Sequence, residues 1–409
     1  MKYVILQGDG MPDHPVPELD GLTPLEAAHT PNLDEFARSS AFGLVKTIPD
    51  GFPPGSDVGN LGVLGYDPVL YYTGRSPLEA ASMGVRVGEG DVTYRCNLVT
   101  LSGGGEGGEW GGVIMEDYSA GHITTGEARE LIASIKALEG EGIEFFPGVS
   151  YRHLLLWHGG RDDIKTTPPH DISGRAVEGY LPSGPGSERL LRMMNEARRI
   201  LRDHSVNLRR EAEGKNPANG IWLWGAGRAP KMPSFGELYG VEGAVISAVD
   251  LVKGIGVYAG LVVVDVPGAT GYLDTNYEGK VEGALEALNE VDLVMVHIEA
   301  TDETGHVGDA KLKVQAVEDF DSRVVGPVLD GLRERFSDYR VMILSDHPTP
   351  LDVRTHVSEP VPFGVLSSDD LDVKAPGLVY SEKAAASTGV YVDACWKLMS
   401  VLLGQESLA

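Results

Sequence analysis

Three apolar runs with almost no alternation constrain this chain more than anything else in it. They are "YVILQ" (Tyr3 to Gln7), "VDLVMVHIE" (Val291 to Glu299) and "YRVMILSDH" (Tyr339 to His347). A strand with one wet face alternates polar and apolar residues. A strand without alternation is buried on both faces, as in a parallel sheet covered by helices on either side. The patterns between the runs are helical. "TPNLDEFARSS" (Thr30 to Ser40) predicts a helix with Thr30 as N-cap and Pro31 at its first position. "KLKVQAVEDFDSRVVGPVLDGL" predicts another, between the second and third runs. The fold class is therefore α/β, a mostly parallel sheet with helices on both faces, built from both ends of the sequence.

The middle reads differently. Thr93 to Thr100, Val113 to Met115 and Arg152 to Trp157 look like short strands around a helical "GEARELIASIKAL". "LSGGGEGGEWGG" reads as a hairpin tip, and "SERLLRMMNEARRILRDHSVNLRREAEG" as one long amphipathic helix. An α+β domain over residues 86–214 is thus expected as an insertion in a larger domain made of 1–85 and 215–409.

Charge narrows the partners. With 34 Lys+Arg against 60 Asp+Glu, the formal net charge is -26. Nucleic acid and anionic membranes are poor partners for such a surface, and an anionic small substrate needs cations gathered at its site. Cys96 and Cys395 show no disulfide framework and no zinc spacing, so they read as buried small residues in a reducing compartment. A strand-like start leaves no room for a signal peptide, and no apolar run approaches the ~18 residues of a membrane span. A cytoplasmic protein is expected, with oligomeric state open and a homo-oligomer allowed.

The chemistry-bearing residues fall at strand ends. Asp9 closes the first run, Asp302 and His306 form a D-x-x-x-H beyond the second, and Asp346 and His347 end the third. His356 follows in a loop, and Ser56 sits in "PPGSDVGNLGVLGYDP", a Gly/Pro turn before a helix. Open parallel sheets bind ligands at the carboxyl ends of their strands, so this topology collects all seven at one edge. Each alone is an ordinary cap or turn residue; their joint placement carries the reading. Mixed carboxylate and imidazole donors suit two divalent cations, Zn²⁺ or Mn²⁺ before Ca²⁺, with Mg²⁺ preferring more oxygen. Two such ions can clamp a phosphoryl group. Ser56 has no Gly-x-Ser-x-Gly elbow and no histidine base beside it in sequence, so a metal would have to activate its hydroxyl. The helix start after it would offer N–H groups to a phosphate.

"QGDGMPD", "PPGSDVGNLGVLGYDP", "YYTGRSPLEAASMGV", "HIEATDETGHVGD" and "SDHPTP…RTHVSEPVPF" resemble the alkaline phosphatase superfamily. Within it the chain is similar, nearly end to end, to the archaeal-type cofactor-independent phosphoglycerate mutases. The resemblance implies interconversion of 3-phosphoglycerate and 2-phosphoglycerate, a step of glycolysis and gluconeogenesis, without 2,3-bisphosphoglycerate. It implies two divalent metal ions, Mn²⁺ first, with Zn²⁺, Co²⁺ or Mg²⁺ as alternatives. Asp302, His306 and His356 would hold one; Asp9, Ser56, Asp346 and His347 would hold the other. Ser56 would become a phosphoserine while glycerate reorients, and the inserted domain would act as a substrate-binding cap that excludes water. Its candidates for holding glycerate are Arg95, His122, Arg152, His170, Asp171 and Arg175. Lys253 matches a phosphate-contacting lysine of the larger bacterial mutases, whose arginine-rich substrate motif is not plainly visible here. The alternative is a phosphomonoesterase or phosphonate hydrolase of the same superfamily, with the same metals and serine but water as acceptor.

Overall fold

The computed structural model describes residues 1–104, 110–369, 371 and 375–408. The chain divides into two compact units, residues 1–72 with 231–409 and residues 73–230, each with its own apolar core. In the first unit the strands lie in the order Tyr391–Val392, Ala41–Val45, Val361–Ser367, Tyr339–Leu344, Lys2–Gly8, Leu293–Ile298, Gly243–Ile246 and Val262–Val263. Val361–Ser367 runs antiparallel to both neighbours, and the other adjacent pairs are parallel. The three apolar runs are central strands of this sheet, as expected of segments covered on both faces. On one face Val4, Leu6, Val296 and Ile343 pack with Leu285, Phe320, Val324 and Leu332. On the other, helix Asp250–Tyr258 approaches so closely that a Cβ on Gly256 would fall 2.5 Å from Val245 Cγ1.

Register sets up the site. Gln7 pairs with both Leu344 and His297, and Gly8 with Ile298, so three strands end side by side. Asp9, Glu299 and Ser345 are the residues that next leave the sheet, at its C-terminal edge.

Two helices of the first unit depart from the sequence expectation. Pro31–Ser39 starts with Pro31, but the Thr30 side chain makes no cap bond. Instead the N–H groups of Leu33 (2.7 Å) and Asn32 (3.4 Å) donate to the Asp321 carboxylate. Asp321 opens a π-helical turn, Asp321–Val325, that splits the long expected helix into Ala310–Phe320 and Gly326–Arg335. Pro327 has no N–H and its ring would collide with the carbonyl one turn back, and widening the helix ahead of it relieves both.

The second unit is an antiparallel sheet. Val92–Gly103 pairs with Val113–Asp117, Arg152–Trp157 and Gly220–Gly227, and Ile143–Phe146 extends it. The unit is wider at both ends than the expected 86–214. Gly220–Gly227 is a full partner of the long strand, and helix Ser76–Ser82 is bound to it through Ser76 Oγ, 2.9 Å from Thr93 O and 2.8 Å from Thr93 Oγ1. Of the expected hairpin tip, residues 105–109 lie outside the described residues. The long amphipathic helix breaks into Ser187–Arg202 and Ser205–Ala212. Asp203, His204 and Ser205 are weak helix formers, and His204 Nδ1 accepts the Val206 N–H (3.2 Å) as a new cap. No helix among the described residues is long and apolar enough to cross a membrane. Cys96 and Cys395 are buried free thiols.

Candidate functional site

The sheet edge of the first unit brings all seven sequence-expected residues into one site. Asp302 and His306 lie one turn apart on helix Ala300–Val307, and Ser56 opens helix Ser56–Val63. His347 Nε2 lies 3.1 Å from Ser56 Oγ, 3.3 Å from Asp346 Oδ2 and 3.5 Å from Asp9 Oδ1. His306 Nε2 lies 3.1 Å from both Asp302 Oδ2 and His356 Nε2, while His356 Nε2 is 3.5 Å from Asp302 Oδ1. The rings of His347 and His356 are 4.0 Å apart, so the two halves adjoin. Two glycines permit the crowding. Gly10, left-handed at φ 58°, would place a Cβ 2.5 Å from Asp302 Oδ1, and a Cβ on Gly59 would meet Asp346 O at 2.7 Å.

The electrostatics call for cations. Burial, reinforced by Asp346 and Asp302, holds the Asp9 carboxyl well above the ordinary range, and its Oδ1 has no hydrogen-bond partner. Burial also pushes Asp302 upward, but hydrogen bonds and charge from His306 and His356 outweigh it and hold that carboxyl well below the ordinary range. Burial works against the His306 imidazolium, and Asp302 overcomes it, raising His306 to about 9. His347 is drawn down by burial. Three buried carboxylates, one with an orphan oxygen, fit divalent cations better than they fit each other. The imidazoles agree. Nδ1 of His306 is tied to Arg354 O (3.0 Å) and Nδ1 of His347 lies 3.3 Å from Thr349 Oγ1, which leaves each Nε2 facing inward. Asp302, His347 and His356 offer ligand atoms within 4.8 Å of one another, and so do Asp9, Asp346 and His347. His347 is common to both sets, whereas the sequence reading gave it to the Asp9 group alone.

Supporting residues that sequence reasoning missed surround these. Thr349 Oγ1 donates to Asp302 Oδ1, and Asn60 Nδ2 donates to Asp346 Oδ2 (3.0 Å) and Ser56 O (2.9 Å). His297 Nε2 lies 2.7 Å from Asp9 Oδ2, and burial draws this histidine down to about 4. The only signal for it was an imidazole inside an otherwise apolar run. Behind the site Lys313 and Asp13 form a buried ion pair at 2.7 Å. The helix start at Ser56 offers fewer N–H groups than expected: Val58 N–H is taken by Gly55 O and Asp57 Oδ1, and Gly59 N–H by Gly55 O.

In the second unit the candidates separate. Arg95 stacks on Trp224 (4.3 Å), Trp224 meets His170 (5.5 Å), and His170 meets Tyr118 (6.0 Å). Tyr118 meets Tyr151 (5.7 Å), which also contacts His122 (6.2 Å) and Arg152 (5.6 Å). Half-buried Glu79 holds Arg95 at 2.9 Å and Arg75, a residue not singled out from the sequence, at 3.0 Å. The loop bearing His122 carries two left-handed non-glycine residues, Ala120 and His122, both at φ 50°. The Asp117 carboxylate braces it by accepting the N–H groups of Ser119 and Gly121, each at 2.7 Å. Such strain is characteristic of positions that a site over-determines. Asp171 is linked to this cluster through His170 (3.6 Å). Arg175 is exposed, and its main chain pairs with Met115 and Ile172. Lys253, in the first unit, is engaged by Asp265 at 2.6 Å.

The family model for 2,3-bisphosphoglycerate-independent phosphoglycerate mutase matches residues 37–207. A Geobacter sulfurreducens protein named as a probable enzyme of that kind is 54% identical over 98% of this chain and 100% of its own. The Methanosarcina acetivorans 2,3-bisphosphoglycerate-independent phosphoglycerate mutase is 50% identical over 95% of this chain and 96% of its own. Among solved structures, the cofactor-independent phosphoglycerate mutase of Thermoplasma acidophilum superposes with a TM-score of 0.64 at 29% identity, covering 100% of both chains. Similarity of this extent, spanning the strand ends and Ser56 alike, places the chain in the family of 2,3-bisphosphoglycerate-independent phosphoglycerate mutases.

Proposed function

We propose that this protein interconverts 3-phosphoglycerate and 2-phosphoglycerate in the cytoplasm, as part of glycolysis and gluconeogenesis, through a phosphoserine at Ser56. The observation that carries the reading is the meeting of Ser56 with three buried carboxylates and three imidazoles at one sheet edge, in a chain of this family. Asp302, His306 and His356 would hold one divalent cation, and Asp9, Ser56, Asp346 and His347 the other, with His347 within reach of both groups, Mn²⁺ being the first choice. When bound, such ions neutralise the phosphoryl oxygens and lower the pKa of the Ser56 hydroxyl.

The residues of the chain do the rest. Ser56 Oγ attacks phosphorus in line, its bond to phosphorus forms, and the bond to the glycerate oxygen breaks. The proton lost by Ser56 balances the one that oxygen gains. Asn60 fixes the Ser56 main chain against Asp346, so nucleophile and ligand keep one geometry. A chain of net charge -26 must gather cations for the glycerate carboxylate locally, and the second unit's Arg95, Arg152, His122 and His170 are the candidates for it. Glycerate, still held, then offers its other hydroxyl, and Ser56 is regenerated with no net use of water. Chelation by EDTA should silence the interconversion and added Mn²⁺ should restore it; full activity in metal-free protein would contradict the reading.

A further inference from the structure

We propose that His297 is the positioning residue of Asp9, locked by Ser247 into the one tautomer that can hold that carboxylate. This rests on the two-cation reading above. The main-chain N–H of Val249 donates to Ser247 Oγ at 2.9 Å, which occupies one of the hydroxyl's acceptor positions and leaves its proton available to His297 Nδ1, 3.1 Å away. With Nδ1 accepting, the ring proton sits on Nε2 and is donated to Asp9 Oδ2 at 2.7 Å. The three residues are 3%, 0% and 1% exposed, which keeps water from competing for these bonds.

The sheet itself builds the relay. Ser247 follows strand Gly243–Ile246, His297 lies on the neighbouring Leu293–Ile298, and Asp9 follows Lys2–Gly8, the next strand over. Lys280, fully buried, donates from Nζ to His297 O at 3.0 Å and fixes the main chain of the middle member. The result is a division of labour within one carboxylate. Oδ2 is committed to His297, while Oδ1 has no hydrogen bond and lies 3.5 Å from His347 Nε2, on the side of the candidate ligands. Asp9 is thereby presented through a single oxygen in a fixed orientation. A histidine that merely filled the core would affect stability and leave the ligand geometry alone.

The test is Mn²⁺ binding to the folded full-length protein, followed by calorimetry and by the electron paramagnetic resonance of free Mn²⁺. Outer partners of metal ligands are typically worth about 10–100-fold in affinity. His297→Leu is expected to weaken one of the two ions by that factor and to leave the other near wild type. His297→Gln, which carries an N–H donor at similar reach, should recover most of the loss. Ser247→Ala frees the tautomer and should fall between, and it keeps the test open if the leucine variant does not fold. Wild-type affinity for both ions in His297→Leu, or no recovery in His297→Gln, overturns the proposal. Wild-type protein that binds no Mn²⁺ would instead refute the two-cation reading on which it stands.

Discussion

Lys313 on helix Ala310–Phe320 is fully buried, and its ammonium bonds Asp13 (2.7 Å), Thr349 O (2.8 Å) and Pro12 O (3.4 Å). Asp13 in turn accepts the Leu351 N–H at 3.1 and 3.2 Å and the His14 N–H at 2.8 Å. The pair therefore ties the loop carrying Asp9 to the loop carrying His347. Removing one partner of a buried ion pair costs about 3–5 kcal/mol, because the other charge is left unmatched. In Lys313→Met, Asp13 keeps its amide donors, which places the loss near the lower end, about 3 kcal/mol. In Asp13→Asn the ammonium is stranded, but a lysine can shed its proton. Burial already draws Lys313 below its ordinary value, with Asp13 opposing. Without Asp13 that depression deepens, so the unfolded state binds more protons than the folded one and stability rises with pH. The penalty in Asp13→Asn is thus full below the folded-state pKa and eases toward about pH 10, the ordinary lysine range. Lys313→Met lacks this slope. The double variant should cost about 1–3 kcal/mol less than the sum of the singles. Urea unfolding of metal-free protein at about pH 7 and about pH 9, with hydrogen exchange at the Leu351 amide as the local reporter, measures all four quantities. Additive single costs, or a loss below about 1 kcal/mol in Lys313→Met, would refute the coupling.

Two further outcomes follow from the site. Ser56→Ala should lower kcat by roughly 10⁴-fold or more, as loss of a nucleophile does, and abolish phosphate on this residue in mass spectra of substrate-treated protein. Its Mn²⁺ affinity should stay within about threefold, since carboxylates and imidazoles remain; substantial turnover in this variant would exclude the phosphoserine route. Metal affinity should also rise with pH. Asp302 keeps His306 protonated up to about 9, and a cation must displace that proton, so affinity climbs by up to about tenfold per pH unit between about 6.5 and 9. Calorimetric titration across that range in buffers of different ionisation enthalpy counts the protons released, and a flat profile would contradict the ligand assignment.

The legible part of this protein was the part that one-dimensional patterns control. Unbroken apolar runs announced the central strands, and the polar residues that end them announced the candidate ligands, because a parallel sheet sends its strand ends to one edge. What stayed hidden depends on contacts distant in sequence. Asp321 caps a helix that starts at Pro31, a role that the local sequence assigns to Thr30. Lys313 and Asp13 are 300 residues apart and look like surface charges in isolation. His297 sits in a run that reads as core, and only the pairing of its strand with Lys2–Gly8 brings it to Asp9. The second unit's ring contacts could not be ordered from sequence, since they depend on which antiparallel strands pair. Arg75 and Glu79 stand at i,i+4 spacing, which by itself reads as an ordinary helix pair.

The most direct test of the central claim is phosphorus NMR of the purified protein with Mn²⁺ and 3-phosphoglycerate, with no bisphosphoglycerate added. Growth of a 2-phosphoglycerate signal to a constant mixture, with no inorganic phosphate, is the result this account predicts. Inorganic phosphate as the main product would contradict it, assigning the same site to a hydrolase.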